Sequence, residues 1–587
     1  MRSAIVRLKN FLARLNAKAI EPTAQAIDFD DGYSWIPNWP NIFQGQTDEW
    51  QSYVEKAKHG PKVLIATCTG GNSAMTPIES LLAVALTMRG ANVEIILCDK
   101  ALPACPNMIT IAEGDQEKFI ANGPDKCDWC FEAGSRVFKD LGLKVHMMSD
   151  WIKDEDRIEA ERIAQEFNTE NVSSFIDQDV MVGHHAMTGA LRYFGRGDFE
   201  GEPNALPILR RFLKAGIIAN RALNRLFTER GYKHTVLNQG VYVPQGVVVG
   251  VAKKFKSTVA PFELGYRDRS IILDNWTAQF EEQNSIWESL PWSETMENDI
   301  MSYLDSRRKV TLDWMKVQSA DGSQDVNQIS KEIGLDPNKP TIALLTNVVW
   351  DAQVFYPTGG FSSMLEWLRL TVEYFAQRPD LQLLIRIHPG ELQGFVKSRQ
   401  LVQDEMKKMF PNLPNNIFVI PPESPINTYA ALEHANAVLI YATTAAIEFA
   451  SLGYPVIIAG EAFLRNKGIG YDVVTKNGYF ELLDKLPMEK ISGDRLIRAR
   501  KYAYHFFLRR MVPLNVLETQ RATGNVPYTI RELGLEAFAR GGDTGLDVIC
   551  DGVLNGALFI YPTERVQKEL QEATEAPQFF TVGTVKH

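Results

Sequence analysis

At 587 residues the chain is too long for one hydrophobic core and should divide into two or three domains. Apolar residues at 45% and charged residues at 23% are ordinary for a globular enzyme, and a net charge of −10 excludes the broad basic face that nucleic acid requires. Six cysteines are too few for a secreted disulfide framework, and no apolar run reaches the roughly twenty residues needed to span a bilayer, so a cytoplasmic location is expected.

Residues 1–22 are expected to form a basic amphipathic helix: Ile5, Leu8, Phe11, Leu12 and Leu15 fall at helical spacing, and the first twenty residues carry five basic residues and no acid. Such a helix lies on an anionic membrane surface or docks on protein. Residues 23–60 are expected to be a linker, and residues 61–318 the first domain. Its opening strand, KVLIATC at 62–68, turns at Gly70, Gly71 and Asn72 into a helix over 77–88, and a strand follows at 93–98. Glycines there let backbone approach a ligand or let a helix pack tightly. The turn lacks GxGxxG, so no dinucleotide site is expected. Cys127 and Cys130 form a CxxC, and with Cys98 and Cys105 they are a candidate structural zinc set; small buried cysteines are the alternative. A helix over 132–141 and a strand over 144–148 follow.

Asp177, Asp179, His184 and His185 precede a segment of helical periodicity. Adjacent histidines diverge on a helix, so at most one faces a given site. His185, Asp177 or Asp179 could serve as a general base; a satisfied core histidine and capping aspartates are the alternative. The helix over 205–230 is basic along one face. A strand at 234–237 ends in NQGVYVPQG, where Tyr242 and Gln245 are candidate sugar contacts, and a helix begins at 247. After a strand at 270–273, a tryptophan-rich helical segment (275–317) leads to a hinge at 319–325.

The second domain, 326–490, alternates strands and helices as a doubly wound unit does. The strand at 341–345 ends in TNVVWD, which offers Asn347 and Asp351. The strand at 381–387 runs into His388-Pro389-Gly390-Glu391, so Arg386 and His388 are placed to pair with phosphate oxygens. The strand at 438–441 turns through Thr443 and Thr444 into a helix carrying Glu448, which shares their face and could bond a ribose diol. A strand at 455–459 completes the unit, and Lys467 and Gly468 lie in a loop suited to close over a ligand. With no DxD-type metal site evident in this domain, no metal is expected at this site. Residues 491–587 begin helical and basic, and the tail past 567 looks poorly ordered.

TNVVWDAQVF, IRIHPGE and YATTAAIEFASLGYPVIIAGEAFLRNKGIGYD together resemble the capsule polysaccharide biosynthesis family of bacterial glycosyltransferases, which is similar to the Kdo transferases. NQGVYVPQG resembles that family's HGxYxPxG loop, with Gln239 where the family has histidine. The resemblance implies an α/β fold of two Rossmann-like doubly wound domains facing a cleft (GT-B), with the C-terminal helices crossing back to brace the first domain. It implies inverting transfer from a CMP- or UDP-linked nucleotide-sugar, without a further cofactor, to a glycan or lipid-linked glycan acceptor. The donor would lie on Asn347, Asp351, Arg386, His388, Glu391, Thr443, Thr444, Glu448, Lys467 and Gly468. The acceptor would lie on Gly70, Gly71, Asn72, Tyr242 and Gln245. His388 would also act in catalysis, and residues 1–20 would contact the inner-membrane surface. The alternatives are a nucleotide-sugar 2-epimerase, a polyol-phosphate transferase, and an inactive glycan-binding assembly subunit. The epimerase would be expected to carry a Gly-Gly-Glu-Glu-like turn where this chain has Thr-Thr-Ala-Ala.

Overall fold

A computed structural model describes residues 33–106, 116–273, 282–314, 325–351, 360–393, 396–520 and 528–565. The expected basic helix at 1–22, most of the hinge at 319–325 and the tail past 567 lie outside these residues. Among the described residues no helix is long and apolar enough to cross a membrane.

The first sheet is built from β1 (Lys62–Cys68), β2 (Asn92–Leu97), β3 (Lys144–Met147), β4 (His234–Asn238), β5 (Thr258–Leu264) and β6 (Ser270–Leu273). The second contains β7 (Thr341–Leu345), β8 (Gln382–Arg386), β9 (Ile417–Ile420), β10 (Ala435–Ile440), β11 (Val456–Ile458) and β12 (Tyr471–Asp472). The C-terminal segment adds β13 (Val512–Pro513) to the first sheet, and β14 (Leu517–Thr519) pairs with β15 (Tyr528–Ile530) as a separate hairpin. The orders are β13-β6-β5-β4-β1-β2-β3 and β12-β11-β10-β7-β8-β9. β1 to β5 are parallel, β6 pairs antiparallel with β5 and β13 antiparallel with β6, and the second sheet is parallel throughout. Both halves thus have the doubly wound Rossmann order, with reversal points between β1 and β4 and between β7 and β10.

Strand alternation explains the layers. Val63 and Ile65 enter the core on one face of the first sheet, and Leu64 and Ala66 enter the core on the other. In the second sheet Ala343 and Leu345 face one core, Ile342 and Leu344 the other. Side chains of period two on a sheet covered on both faces give continuous apolar runs, which is why these strands were readable. β5 was not expected. Its sequence, TVAPFEL, carries a proline and a glutamate, and its place in the sheet comes from parallel pairing with β4.

The helix after β1 spans Thr76–Met88, and the helix that leads into β3 spans Cys127–Lys139, so the CxxC lies in a first helical turn rather than in a loop. Past the Gly493–Tyr504 helix, a buried π-helical stretch at His505–Arg510 leads into β13, and the Thr544–Asn555 helix packs against the first domain.

The Gly70-Gly71 turn meets this second helix directly. A Cβ on Gly70 would stand 2.5 Å from Gly134 Cα, and one on Gly71 would stand 2.5 Å from the Trp129 ring. The glycines therefore serve helix packing. Gly70→Ala should lower stability by about 1–3 kcal/mol, measured as a reduced urea midpoint, because backbone opposes the new methyl.

Candidate active site

The carboxyl ends of β4 and β5 face those of β7, β8, β10 and β11 across a cleft of about 490 Å³. In doubly wound sheets ligands bind at such ends, next to the reversal point. At that point in the second domain Asn347 ties the diverging strands together. Its Nδ2 donates to the Ala442 carbonyl at 2.8 Å, and its Oδ1 accepts from Val348 N–H at 2.8 Å. The next turns contribute Thr443 and Thr444, which line the cleft above the short Ala445–Ser451 helix.

His388 follows β8 and lines the same wall. Its N–H donates to Thr346 Oγ1 at 3.0 Å, and its Nδ1 accepts from Gly390 N–H at 3.0 Å. The neutral ring therefore carries its proton on Nε2. Burial, reinforced by the Arg386 charge, holds its pKa down to about 4, so it is an uncharged donor at neutral pH.

Arg386 lines the cleft but is committed to its own domain. Its guanidinium donates to the Pro421 carbonyl at 2.5 Å, to Thr428 Oγ1 at 3.3 Å and to the Ser424 carbonyl at 3.4 Å. Glu448 also departs from expectation. It is buried, and its two oxygens accept from Arg307 Nη2 at 3.1 Å and from the Tyr429 hydroxyl. Arg307 also pairs with Asp313, which accepts from the Tyr303 hydroxyl at 2.8 Å. Glu448 thus anchors a buried charge network at the cleft floor.

The first domain supplies residues that the sequence did not single out. Arg192 lies with its guanidinium 4.5 Å from the Tyr242 ring centre and 5.3 Å from that of Trp350, and it donates to the Tyr242 hydroxyl at 2.9 Å. It joins the two walls, with Asp351 nearby. Tyr266, after β5, lies beside the Thr444 side chain on the cleft wall. Glu263, near the end of β5, lines the cleft beside Tyr242 and Tyr266 and contributes to raising both phenols, which burial chiefly pushes up to about 12. A second bracket joins the domains away from the cleft, where Arg399 N–H donates to the Gly195 carbonyl at 3.0 Å and Gln400 Nε2 donates to Asp198 at 2.8 Å.

Of the residues assigned from sequence to donor, acceptor or catalysis, Tyr242, Asn347, Asp351, Arg386, His388, Thr443, Thr444 and Glu448 meet in the cleft, with Gln239 beside them. The others do not. His185 is buried beneath the loop that carries Tyr242, its Nδ1 bonded to the Val241 carbonyl at 2.6 Å, and burial holds its pKa down to about 4. It positions that loop. Asp177 is buried and accepts from Asn220 Nδ2 at 2.9 Å, and the exposed Asp179 lies 3.9 Å from Lys254. None of the three is placed to act as base. Gly70 and Gly71 pack on the CxxC helix, Asn72 accepts from Met75 N–H at 3.3 Å, and Gln245 donates to Thr69 at 3.1 Å below the cleft. Lys467 is buried over the Tyr502 ring, and its carbonyl accepts from Arg498 Nε at 2.6 Å. Arg498 also packs on Gly468, so this loop is fixed to the C-terminal helix rather than poised over the cleft.

Nor do the cysteines gather into a metal site. Among the described residues no group of three or more histidine, cysteine or acidic side chains is arranged to hold a metal ion. Cys105 packs in the core. Cys130 accepts from Gly71 N–H at 3.1 Å, and burial pushes the Cys98 and Cys127 thiols up to about 11 and 12.

Glu391 turns away from the cleft, accepting from Val402 N–H at 3.1 Å to start the Val402–Met409 helix, and burial raises its pKa to about 7. The folded chain holds this proton to higher pH than the unfolded chain, whose reference value is about 4.3. The stability it contributes is therefore full below that value and lost as pH rises through about 7. Glu391→Gln should flatten that decline in denaturant midpoints measured from pH 5 to 8.

Fold and cleft define an α/β protein of two Rossmann-like domains facing a cleft, the GT-B arrangement. No family model and no curated protein matches the chain. Solved structures similar to it include "KpsC, beta Kdo 2,4 transferase" from Thermosulfurimonas dismutans, 15% identical at TM-score 0.30, with 47% of this chain and 81% of that one covered. CalG4, the calicheamicin glycosyltransferase, is 14% identical at TM-score 0.24, covering 77% and 94%. UDP-GlcNAc 2-epimerase from Neisseria meningitidis is 11% identical at TM-score 0.22, covering 76% and 99%. At these identities and scores the likenesses assign this chain neither an activity nor a substrate.

Proposed function

We propose that the chain is a glycosyltransferase whose second domain holds a nucleotide-activated sugar, CMP- or UDP-linked, and whose first domain presents a glycan or lipid-linked glycan acceptor. One observation carries this reading: the neutral Nε2–H donor of His388 and the Thr443 and Thr444 hydroxyls line the cleft at the carboxyl ends of β8 and β10, beside the reversal point. Donors fixed there would meet the phosphate oxygens that gain charge as the bond from sugar to nucleotide breaks. They would stabilise the transition state more than the ground state. The resemblance of TNVVWD, IRIHPGE and the Thr-Thr turn to capsule transferases supports a surface polysaccharide as the product, built beside the inner membrane.

Thermal unfolding with CMP, UDP and CDP tests the reading. A nucleotide at 100 times its Kd should stabilise the protein by about 2.7 kcal/mol. CMP would indicate a Kdo-like donor, UDP a hexose and CDP polyol chemistry; a response to none would overturn the transferase. With UDP, net release of free nucleotide separates transfer from epimerisation, which conserves the nucleotide-sugar. Because the proposed phosphate donors are side chains, a chelator should leave turnover unchanged, as followed by nucleotide release with and without EDTA.

A further inference from the structure

We propose that Glu263 is the general base that deprotonates the acceptor hydroxyl, an assignment that rests on the transferase reading above. An acceptor must approach the donor's anomeric carbon from the wall opposite the nucleotide, so its base belongs to the first domain. Among the described carboxylates lining the cleft, Asp351, Glu448 and Glu461 stand on the second domain, and Asp313 is ion-paired with Arg307. Glu263 comes from the first sheet, near the end of β5.

Its two aromatic neighbours locate it further. Tyr242 reaches the second domain through Arg192, which packs on Trp350, and Tyr266 lies beside Thr444. Glu263 therefore stands on the cleft wall with the two tyrosines by which the first domain approaches the second. The two phenols flank a half-buried glutamate on the cleft wall, with its Oε1 shielded from solvent. In the reaction the acceptor oxygen bonds to the anomeric carbon, and the bond from that carbon to the phosphate oxygen breaks with its electron pair left on the nucleotide. The hydroxyl proton passes to Glu263 and then to solvent.

The test compares wild type, Glu263→Gln and Glu263→Asp as full-length protein. UDP-glucose and CMP-N-acetylneuraminate serve as donor probes, with water as surrogate acceptor and nucleotide release as the readout. Glu263→Gln should lower kcat by about 100-fold or more, with the nucleotide-induced rise in melting temperature unchanged and the acid limb of the pH–rate profile lost. Glu263→Asp, which keeps the carboxylate, should recover part of the rate and restore that limb. Nucleotide stabilisation with undiminished turnover in Glu263→Gln would overturn Glu263 as base while leaving the transferase standing. A wild type stabilised by no nucleotide overturns both.

Discussion

Glu448→Ala should lose about 3–5 kcal/mol of folding stability, read as a large fall in the urea midpoint, because removing one partner of a buried ion pair strands the other. The stranded group is Arg307, whose buried guanidinium is held between Glu448 and Asp313 and packs 5.1 Å from the ring centres of both Tyr266 and Phe507. Arginine cannot shed its charge to escape burial. The Tyr429 hydroxyl would lose its acceptor as well. Sequence spacing makes Glu448 a candidate ribose ligand, whose removal would spare the fold. The ion pair reverses that expectation. Glu448→Gln should fall between the two, since it keeps an acceptor for Arg307 and Tyr429 but not the charge. An alanine variant as stable as wild type would mean that the network does not hold the cleft floor together.

His388→Ala should do the opposite, lowering the denaturant midpoint only by the one hydrogen bond it makes to Gly390, about 1 kcal/mol, while lowering turnover by about 100- to 1,000-fold, the usual cost of removing one fixed donor from developing negative charge. The backbone bond from His388 N–H to Thr346 survives the substitution, and Pro389 still shapes the turn. What disappears is the Nε2–H donor at the mouth of β8, together with the Nδ1 acceptor of the Gly390 N–H. His388→Gln, which can present an amide N–H, should recover part of the loss. Because burial and Arg386 hold this histidine to about 4, it stays neutral from pH 5 to 8 and should not produce a limb in the pH–rate profile there. Wild-type turnover in His388→Ala would remove the observation on which the transferase reading stands.

The sequence by itself determined the doubly wound second domain and its pocket wall. Continuous apolar strands, each ending in hydroxyls, amides or a His-Pro turn, specify both the buried sheet and the rim that faces solvent or ligand. Tertiary structure decided what each polar residue does there. Arg386 and Glu448 sit at the rim as their spacing requires, yet their charges are spent on carbonyls and on Arg307, which are remote in the chain and invisible to periodicity. His185 matched the pattern of a base and is a packed histidine under the Tyr242 loop, because whether an imidazole meets a backbone carbonyl or a cleft depends on the neighbouring loop. Glu263 left no signal, since β5 lacks the apolar run of its neighbours and is a strand only through its pairing with β4. Pattern fixes which face of an element is apolar; only the assembled domains decide which polar groups remain for chemistry once the buried charges have found their partners.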